Sequence, residues 1–378
     1  MNFAKLTRYL NSIPELHIPG CECVVYKDHK KVYRHISGTA DLEGTMPLTE
    51  EAVYRIHSCT KISTCTAAMQ LVERGLMSID DPVSKYIPEF ADVVVQDGDG
   101  VRPAKKTMLI RHLMSMQGGL DYGMNDPAVL AVAEEKEGHA STLDIVRALA
   151  KRPLRFEPGT HYLYSLCHDV LAGVVEVVSG QTFGEYLQEN IYGPLGMTET
   201  TFHPTEEFAA RIVPCYSFEG AQPPKVSVAA PRKSLSDQYE SGGGGLYSTV
   251  NSYILLLDAL ANGGVGANGA RILKSETIDI MRTSQLGPDS LYDFWQDPNN
   301  RGYGYALGFR TMLYPERIAA KSPVGEFGWG GAAGAYAVID PKNHLAIYYA
   351  QHVMNCGVAF SNIQPTIRNL VYEALEEA

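Results

Sequence analysis

Most of the short signatures that announce a chemistry are missing from this chain of 378 residues. No Gly-x-Ser-x-Gly occurs, which disfavours the nucleophile turn of an α/β-hydrolase. No His-Glu-x-x-His occurs and the histidines show no ligand spacing, so no metal is implied. The seven cysteines, at 21, 23, 59, 65, 167, 215 and 356, form no Cys-x-x-Cys pair. That excludes the usual zinc and thioredoxin-like patterns. An odd, scattered set reads as reduced thiols in a cytoplasmic protein. Long basic runs are absent, and 32 basic against 43 acidic side chains leave a net charge of -11. Nucleic acid and anionic membrane surfaces are therefore poor partners. No stretch reaches the roughly 18 apolar residues that span a bilayer. The first twenty residues lack the apolar core and cleavage site of a signal peptide. Asp97-Gly98-Asp99-Gly100 starts like a calcium loop, but the spaced acidic ligands and closing glutamate are missing. The run Gly242–Gly245 lacks the Lys-Ser/Thr of a P-loop, so it reads as close backbone packing rather than a phosphate cradle. No cofactor is expected.

What is present suits a globular enzyme. Hydrophobic residues make up 45% and charged residues 20%, enough for a sizeable core. Phe3, Leu6, Tyr9 and Leu10 predict an amphipathic helix that ends before Pro14. Residues 21–38 predict a hairpin around a polar turn. Helical patterns follow at Ile110–Met116, at Thr142–Lys151 capped by Ser141 or Thr142, from a Ser165 cap to Gly180, and at Phe183–Ile191 before Pro194. Residues 212–240 read as irregular. Tyr253–Leu260 and Lys274–Met281 are helical again. From Tyr303 the period changes to two. Phe327–Ile339 and His344–Gln351 read as strands joined by the turn Asp340–Asn343, and 362–376 as a closing helix. Strands at both ends and helices between them predict an α+β fold, an antiparallel sheet with an inserted helical lobe. The expected division is 1–107 with 226–378 for the sheet and 108–225 for the lobe, with the active site at their interface.

One stretch carries a candidate chemistry. Arg55-Ile56-His57-Ser58-Cys59-Thr60-Lys61 contains Ser-x-x-Lys ahead of an apolar, helix-period run that ends at Gly75. In a first helical turn, Ser58 and Lys61 share a face. A serine hydroxyl needs a nearby base to act as a nucleophile. A lysine serves only if burial or a cation lowers its pKa. Alone, the motif is weak. His57, one residue from Ser58, faces elsewhere and reads as structural. Cys59 reads as a small buried thiol.

Three separated features agree with one family. They are Ser58-Cys59-Thr60-Lys61, then Tyr164-Ser165-Leu166 between Phe156-Glu157-Pro158-Gly159 and Pro194-Leu195-Gly196-Met197, then Trp329-Gly330-Gly331. With Leu109–Leu113, the Ser241 glycine run and Ile339-Asp340-Pro341, the chain from about residue 20 to 375 resembles the serine β-lactamase and penicillin-binding superfamily. The resemblance is to its class C-like branch, nearest the carboxylesterases of that fold. It implies a β-lactamase/transpeptidase-like fold and an acyl-enzyme on Ser58. It implies that Lys61 and Tyr164 share the general-base work, leaving open which takes the proton. It implies an oxyanion hole from the backbone N–H groups of Ser58 and Ala332, and an edge strand where Gly330 and Gly331 let substrate approach.

Two departures bear on specificity. Trp329 stands where many relatives carry the lysine of Lys-Thr-Gly, and an indole offers one donor and no charge. Leu166 replaces the asparagine of Tyr-x-Asn. Losing both costs peptide-like substrates several kcal/mol, at about 1.5–3 per charged hydrogen bond. An apolar site with Trp329 and Leu166 suits a neutral ester, although another cation such as Arg310 would compensate. Tyr122 lines the pocket or packs behind it. The expectation is a hydrolase of small-molecule esters. The alternatives are a β-lactamase or D-amino-acid peptidase or amidase, and a binding protein or sensor that acylates without turnover.

Overall fold

The computed structural model describes residues 1–123, 126–219, 225–228 and 235–377, with backbone alone at 225–228. Helix α1 (Ala4–Ser12) buries Leu6 and Leu10, and a 3-10 turn then carries Pro14. Strands β1 (Gly20–Lys27) and β2 (Lys30–Gly38) form the expected hairpin. Its two turn residues, Asp28 and His29, both have positive φ, 49° and 63°. That backbone twist matches the twist of the flanking strands.

Helix α2 (Thr60–Glu73) runs through the core, with every residue from Thr60 to Leu71 buried. A helix buried all round must satisfy its own polar groups. Thr64 Oγ1 donates to Gly242 O (2.7 Å), Thr66 Oγ1 to Ile62 O (2.8 Å), and Gln70 Nε2 to the carbonyls of Asn190 and Ile272 (2.9 and 3.0 Å). Gly75, with φ 70°, ends the helix in the left-handed conformation that favours glycine. Helices α3 (Cys167–Ser179) and α4 (Val250–Ala261) follow. Strands β3 (Tyr303–Tyr305), β4 (Arg310–Met312), β5 (Phe327–Gly330), β6 (Tyr336–Asp340) and β7 (Leu345–Ala350) precede the closing helix α5 (Gln364–Glu376).

The main sheet has the order β3-β4-β5-β6-β7-β1-β2, with every neighbour antiparallel. So the N-terminal hairpin does pair with the C-terminal strands. Alternation splits the apolar residues between two cores. Tyr336, Val338 and Ile347 pack with residues of α1 and α5, while Ala337, Ile339 and Tyr348 pack with residues of α2 and α4. No described helix is long and apolar enough to cross a membrane.

Several local expectations are corrected. Phe327–Ile339 is not one strand. It breaks into β5 and β6 because Gly331 N–H bonds Ala335 O (2.8 Å) and Gly334 (φ 96°) turns the chain. The cap of α3 is Leu166, although the Ser165 hydroxyl still accepts from Cys167 N–H (3.4 Å). The helix expected at Phe183–Ile191 ends at Leu187. A π-helical turn at Gln188–Tyr192 then takes the chain past Pro194 to Gly196. Helices at Pro127–Glu135 and Pro288–Phe294 were not expected from the sequence pattern. Within 212–240, read as irregular, Tyr216–Glu219 pairs with Lys225–Val228. Residues 220–224 and 229–234 of that stretch lie outside the described residues.

Candidate active site

The strand Val53–Arg55 delivers the chain to the head of α2. His57 makes the turn with a left-handed backbone, φ 47°. A strained non-glycine residue beside a reactive group is a recurring feature of functional sites. His57 to Cys59 form a 3-10 turn that runs directly into α2. Ser58 and Lys61 therefore do share a face, with Lys61 Nζ 3.4 Å from Ser58 Oγ. Ser58 is 8% exposed and Lys61 is fully buried.

A buried ammonium needs compensation. Lys61 Nζ donates to Gly243 O and lies 4.7 Å from the Tyr164 ring centroid. Burial alone would depress its pKa, but Tyr164, Tyr122 and Asp169 outweigh burial, and the net shift is upward. That direction favours the ammonium form of Lys61.

Asp169, in the first turn of α3, fixes the glycine run that supplies that carbonyl. Its Oδ1 accepts from Tyr239 OH and Ser241 Oγ (both 2.6 Å) and from Gly243 N–H (3.4 Å). A Cβ on Gly242 would stand 2.4 Å from His168 O, and one on Gly243 2.5 Å from Asp169 Oδ2. The run is close packing, as expected, but packing that aims a carbonyl at Lys61. In the sequence, Asp169 reads only as an acidic helix start. No local signal marks its partnership with residues about seventy positions away.

Tyr164 lies just before α3, and its hydroxyl oxygen accepts from Trp329 Nε1 at 3.1 Å. The Tyr164 and Trp329 ring centroids are 5.5 Å apart, and Tyr305 stands edge-on to Trp329 at 5.1 Å. Ser58, Tyr164, Trp329, Gly330, Gly331 and Ala332 all line one cavity of about 440 Å³. Among the described residues, neither Ser58 N–H nor Ala332 N–H bonds to a backbone carbonyl. Gly331 has a further role. A Cβ there would come within 2.5 Å of Ile56 O, so its bare backbone lets β5 close on the Ser58 turn.

Two residues expected at the cavity are not on its lining. Leu166 is 2% exposed and packs in the core, because an apolar side chain gains more there than on a wetted wall. Tyr122, half-buried, stacks on Tyr164 at 5.6 Å and lies 5.8 Å from Lys61 Nζ. Cys59 is a buried thiol pushed up by burial to about 12. Arg310 does reach the cavity wall.

Known proteins resemble this chain along most of its length. Esterase EstB of Burkholderia gladioli is 28% identical over 386 residues, covering 96% of this chain and 92% of that protein. A putative D-alanyl-D-alanine carboxypeptidase of Escherichia coli K12 is 26% identical over 389 residues, covering 96% and 85%. Among solved structures, EstCE1, a hydrolase with promiscuous acyltransferase activity, superposes with a TM-score of 0.80 at 26% identity, covering 98% of each chain. The Beta-lactamase family model matches residues 4–361. With that match over nearly the whole length, and the fold shared with these hydrolases, the chain belongs to the Beta-lactamase family.

Proposed function

We propose that this protein hydrolyses small neutral esters through an acyl-enzyme on Ser58. The observation that carries the reading is the Trp329–Tyr164 hydrogen bond. The position where many relatives keep a lysine for the substrate carboxylate holds an uncharged indole, and its one donor is already used on Tyr164. The name of Esterase EstB supports an ester substrate, and the description of EstCE1 as a hydrolase with acyltransferase activity supports acyl transfer.

In this mechanism Ser58 Oγ attacks the acyl carbonyl and passes its proton to the Tyr164 oxygen. The Trp329 donor and the Lys61 ammonium stand beside that oxygen and its ring. Lys61 stays an ammonium. The Ser58 and Ala332 N–H groups receive the oxyanion. Tyr164 returns the proton to the leaving alkoxide, and the same groups activate water for deacylation by the reverse path. Tyr122 backs Tyr164 and Lys61, while Gly330 shapes the cavity wall. We read the chain as a sheet part, 1–107 with 226–378, and a helical part, 108–225. Tyr164 comes from the second and Ser58 and Trp329 from the first, which supports a site at their junction. Seven unpaired cysteines support a reducing, cytoplasmic setting.

The test is intact-mass spectrometry and turnover with 4-nitrophenyl acetate and butyrate, beside a cephalosporin and a D-alanyl-D-alanine peptide. Ester turnover lost in Ser58→Ala is expected. Cephalosporin or peptide turnover without ester turnover would favour the amidase reading. Stoichiometric labelling without product release would favour the sensor reading.

A further inference from the structure

The cavity that holds Ser58 is lined by two kinds of surface. Part is aromatic. Tyr162 and Trp329 lie half-buried on it, and Phe294 packs against Tyr162 with ring centroids 4.9 Å apart. Another part is amide and carboxylate, from Asp293, Asp297, Asn299 and Asn300. These four are close in sequence, on the helix Pro288–Phe294 and the 3-10 turn Pro298–Asn300 that follows it.

That segment is fastened to the rest of the fold. Ser290, 2% exposed, accepts from Gln117 Nε2 (3.0 Å) and donates to Thr160 O (3.2 Å). Trp295 Nε1 donates to Tyr303 O in β3 (2.7 Å). Polar groups on a fixed segment lose little freedom when a ligand meets them.

The four side chains are held through some atoms and keep others over. Asp293 Oδ2 lies 2.8 Å from His161 Nδ1 and accepts from Tyr162 N–H (3.1 Å). Asp297 Oδ1 accepts from the backbone N–H and from Nδ2 of Asn299 (both 2.9 Å). Asn300 Nδ2 donates to Phe294 O (3.4 Å). Among the described residues, nothing donates to Asp293 Oδ1, Asp297 Oδ2, Asn299 Oδ1 or Asn300 Oδ1. All four atoms are acceptors. A ligand that takes such acceptors from water without loss must bring donors of its own.

Their place says which part of an ester meets them. Tyr164 returns its proton to the leaving alkoxide, so the alcohol part leaves beside Tyr164. Tyr162, on the same short segment, is bonded to Asp293 through its own N–H. The acceptors thus lie on the leaving-group side of Ser58. A group rich in hydroxyls supplies the donors, and its C–H surface suits the aromatic lining. It also carries no charge, in keeping with the uncharged indole of Trp329.

We propose that the alcohol released from the ester is a neutral polyol the size of a sugar ring, whose hydroxyls donate to Asp293, Asp297, Asn299 and Asn300 while the acyl carbonyl lies on Ser58. The bond that breaks joins the acyl carbon to a polyol oxygen. That oxygen leaves with the proton from Tyr164, and water then takes the acyl group from Ser58. This inference rests on the ester-hydrolase reading and names the substrate class of the same site.

The test compares acetate esters that differ only in the alcohol. Methyl 6-O-acetyl-α-D-glucopyranoside is set beside cyclohexylmethyl acetate, which keeps a ring and loses the hydroxyls. Both give the same acetyl-enzyme, so kcat/KM reads the alcohol site. The sugar ester should exceed its counterpart by about tenfold or more, the size of one hydrogen bond to a charged group. Asn300→Ala and Asp297→Asn, each checked for folding by its melting temperature, should bring the two esters several-fold closer. In Ser58→Ala the intact sugar ester should bind in an NMR titration, and Asn300→Ala in the same background should weaken that binding several-fold. Equal or faster turnover of cyclohexylmethyl acetate, or a sugar preference untouched in both variants, would overturn the proposal. So would acetylcholine exceeding 3,3-dimethylbutyl acetate, its uncharged analogue, by the margin expected for the sugar, since the carboxylates would then hold a cation. If 4-nitrophenyl acetate turns over and the sugar ester does not, the polyol inference alone fails. If no ester turns over and a fluorophosphonate fails to label Ser58, the hydrolase reading fails, while the titrations on Ser58→Ala still judge the polyol site.

Discussion

The indole Nε1 of Trp329 donates to the hydroxyl oxygen of Tyr164 across 3.1 Å. The same oxygen belongs to a ring packed against the buried Lys61 ammonium. Trp329 thereby joins Tyr164 to the strand that lines the cavity.

Removing that donor while keeping an aromatic ring isolates its effect. Trp329→Phe should lower kcat about tenfold, the loss of one hydrogen bond. A change confined to KM would mean that the indole acts only on substrate.

Gly243 sets the carbonyl that holds Lys61. In Gly243→Ala the new Cβ would stand 2.5 Å from Asp169 Oδ2 and 3.4 Å from Lys61 Nζ. A displaced Lys61 should cost about a hundredfold in kcat, as misplaced catalytic groups do. Pre-steady-state acylation would locate the loss in the first step. Unimpaired acylation would argue against this role.

Leu166 tests where the asparagine of relatives has gone. Because Leu166 is buried in the core, Leu166→Asn should lower stability by about 2–5 kcal/mol, from lost packing and a buried amide. Urea denaturation reads the loss directly. The order of acyl-chain preference among folded molecules should persist; a new preference for acylamino substrates would place Leu166 at the substrate after all.

His352 gives a pH dependence with a definite sign. Burial depresses its imidazole to about 4, against the bond between Nε2 and Ala40 O at 3.1 Å, while its ordinary value is 6.5. Between those values the unfolded chain binds the extra proton, so this contribution is intact above pH 6.5 and is lost as pH falls toward 4. His352→Gln should flatten the slope of Tm against pH in that window. Parallel slopes for the two proteins would show that His352 is not held neutral.

The Ser58–Lys61 pairing and the layout were legible for local reasons. Ser58 and Lys61 are three residues apart on a helix, so one turn of geometry brings them together. The strand pattern of residues 21–38 is equally local, and the hairpin and C-terminal strands pair as their patterns predict. Leu166 failed because a residue's place in a motif does not say which way its side chain turns. The break at Gly331 was missed because alternation continues through glycines that the Ile56 carbonyl, distant in sequence, makes necessary.

By itself, then, the sequence determined a Ser-x-x-Lys helix, a hairpin and closing strands, and a third motif without a charge. Only the tertiary structure decided that the surroundings of Lys61 favour its charged form, that Trp329 bonds to Tyr164, and that Arg310 and Arg368 face one cavity. Those outcomes depend on burial and on contacts between residues tens to hundreds of positions apart. A pKa or an unpaired donor is a property of surroundings, and surroundings exist only once the chain has folded.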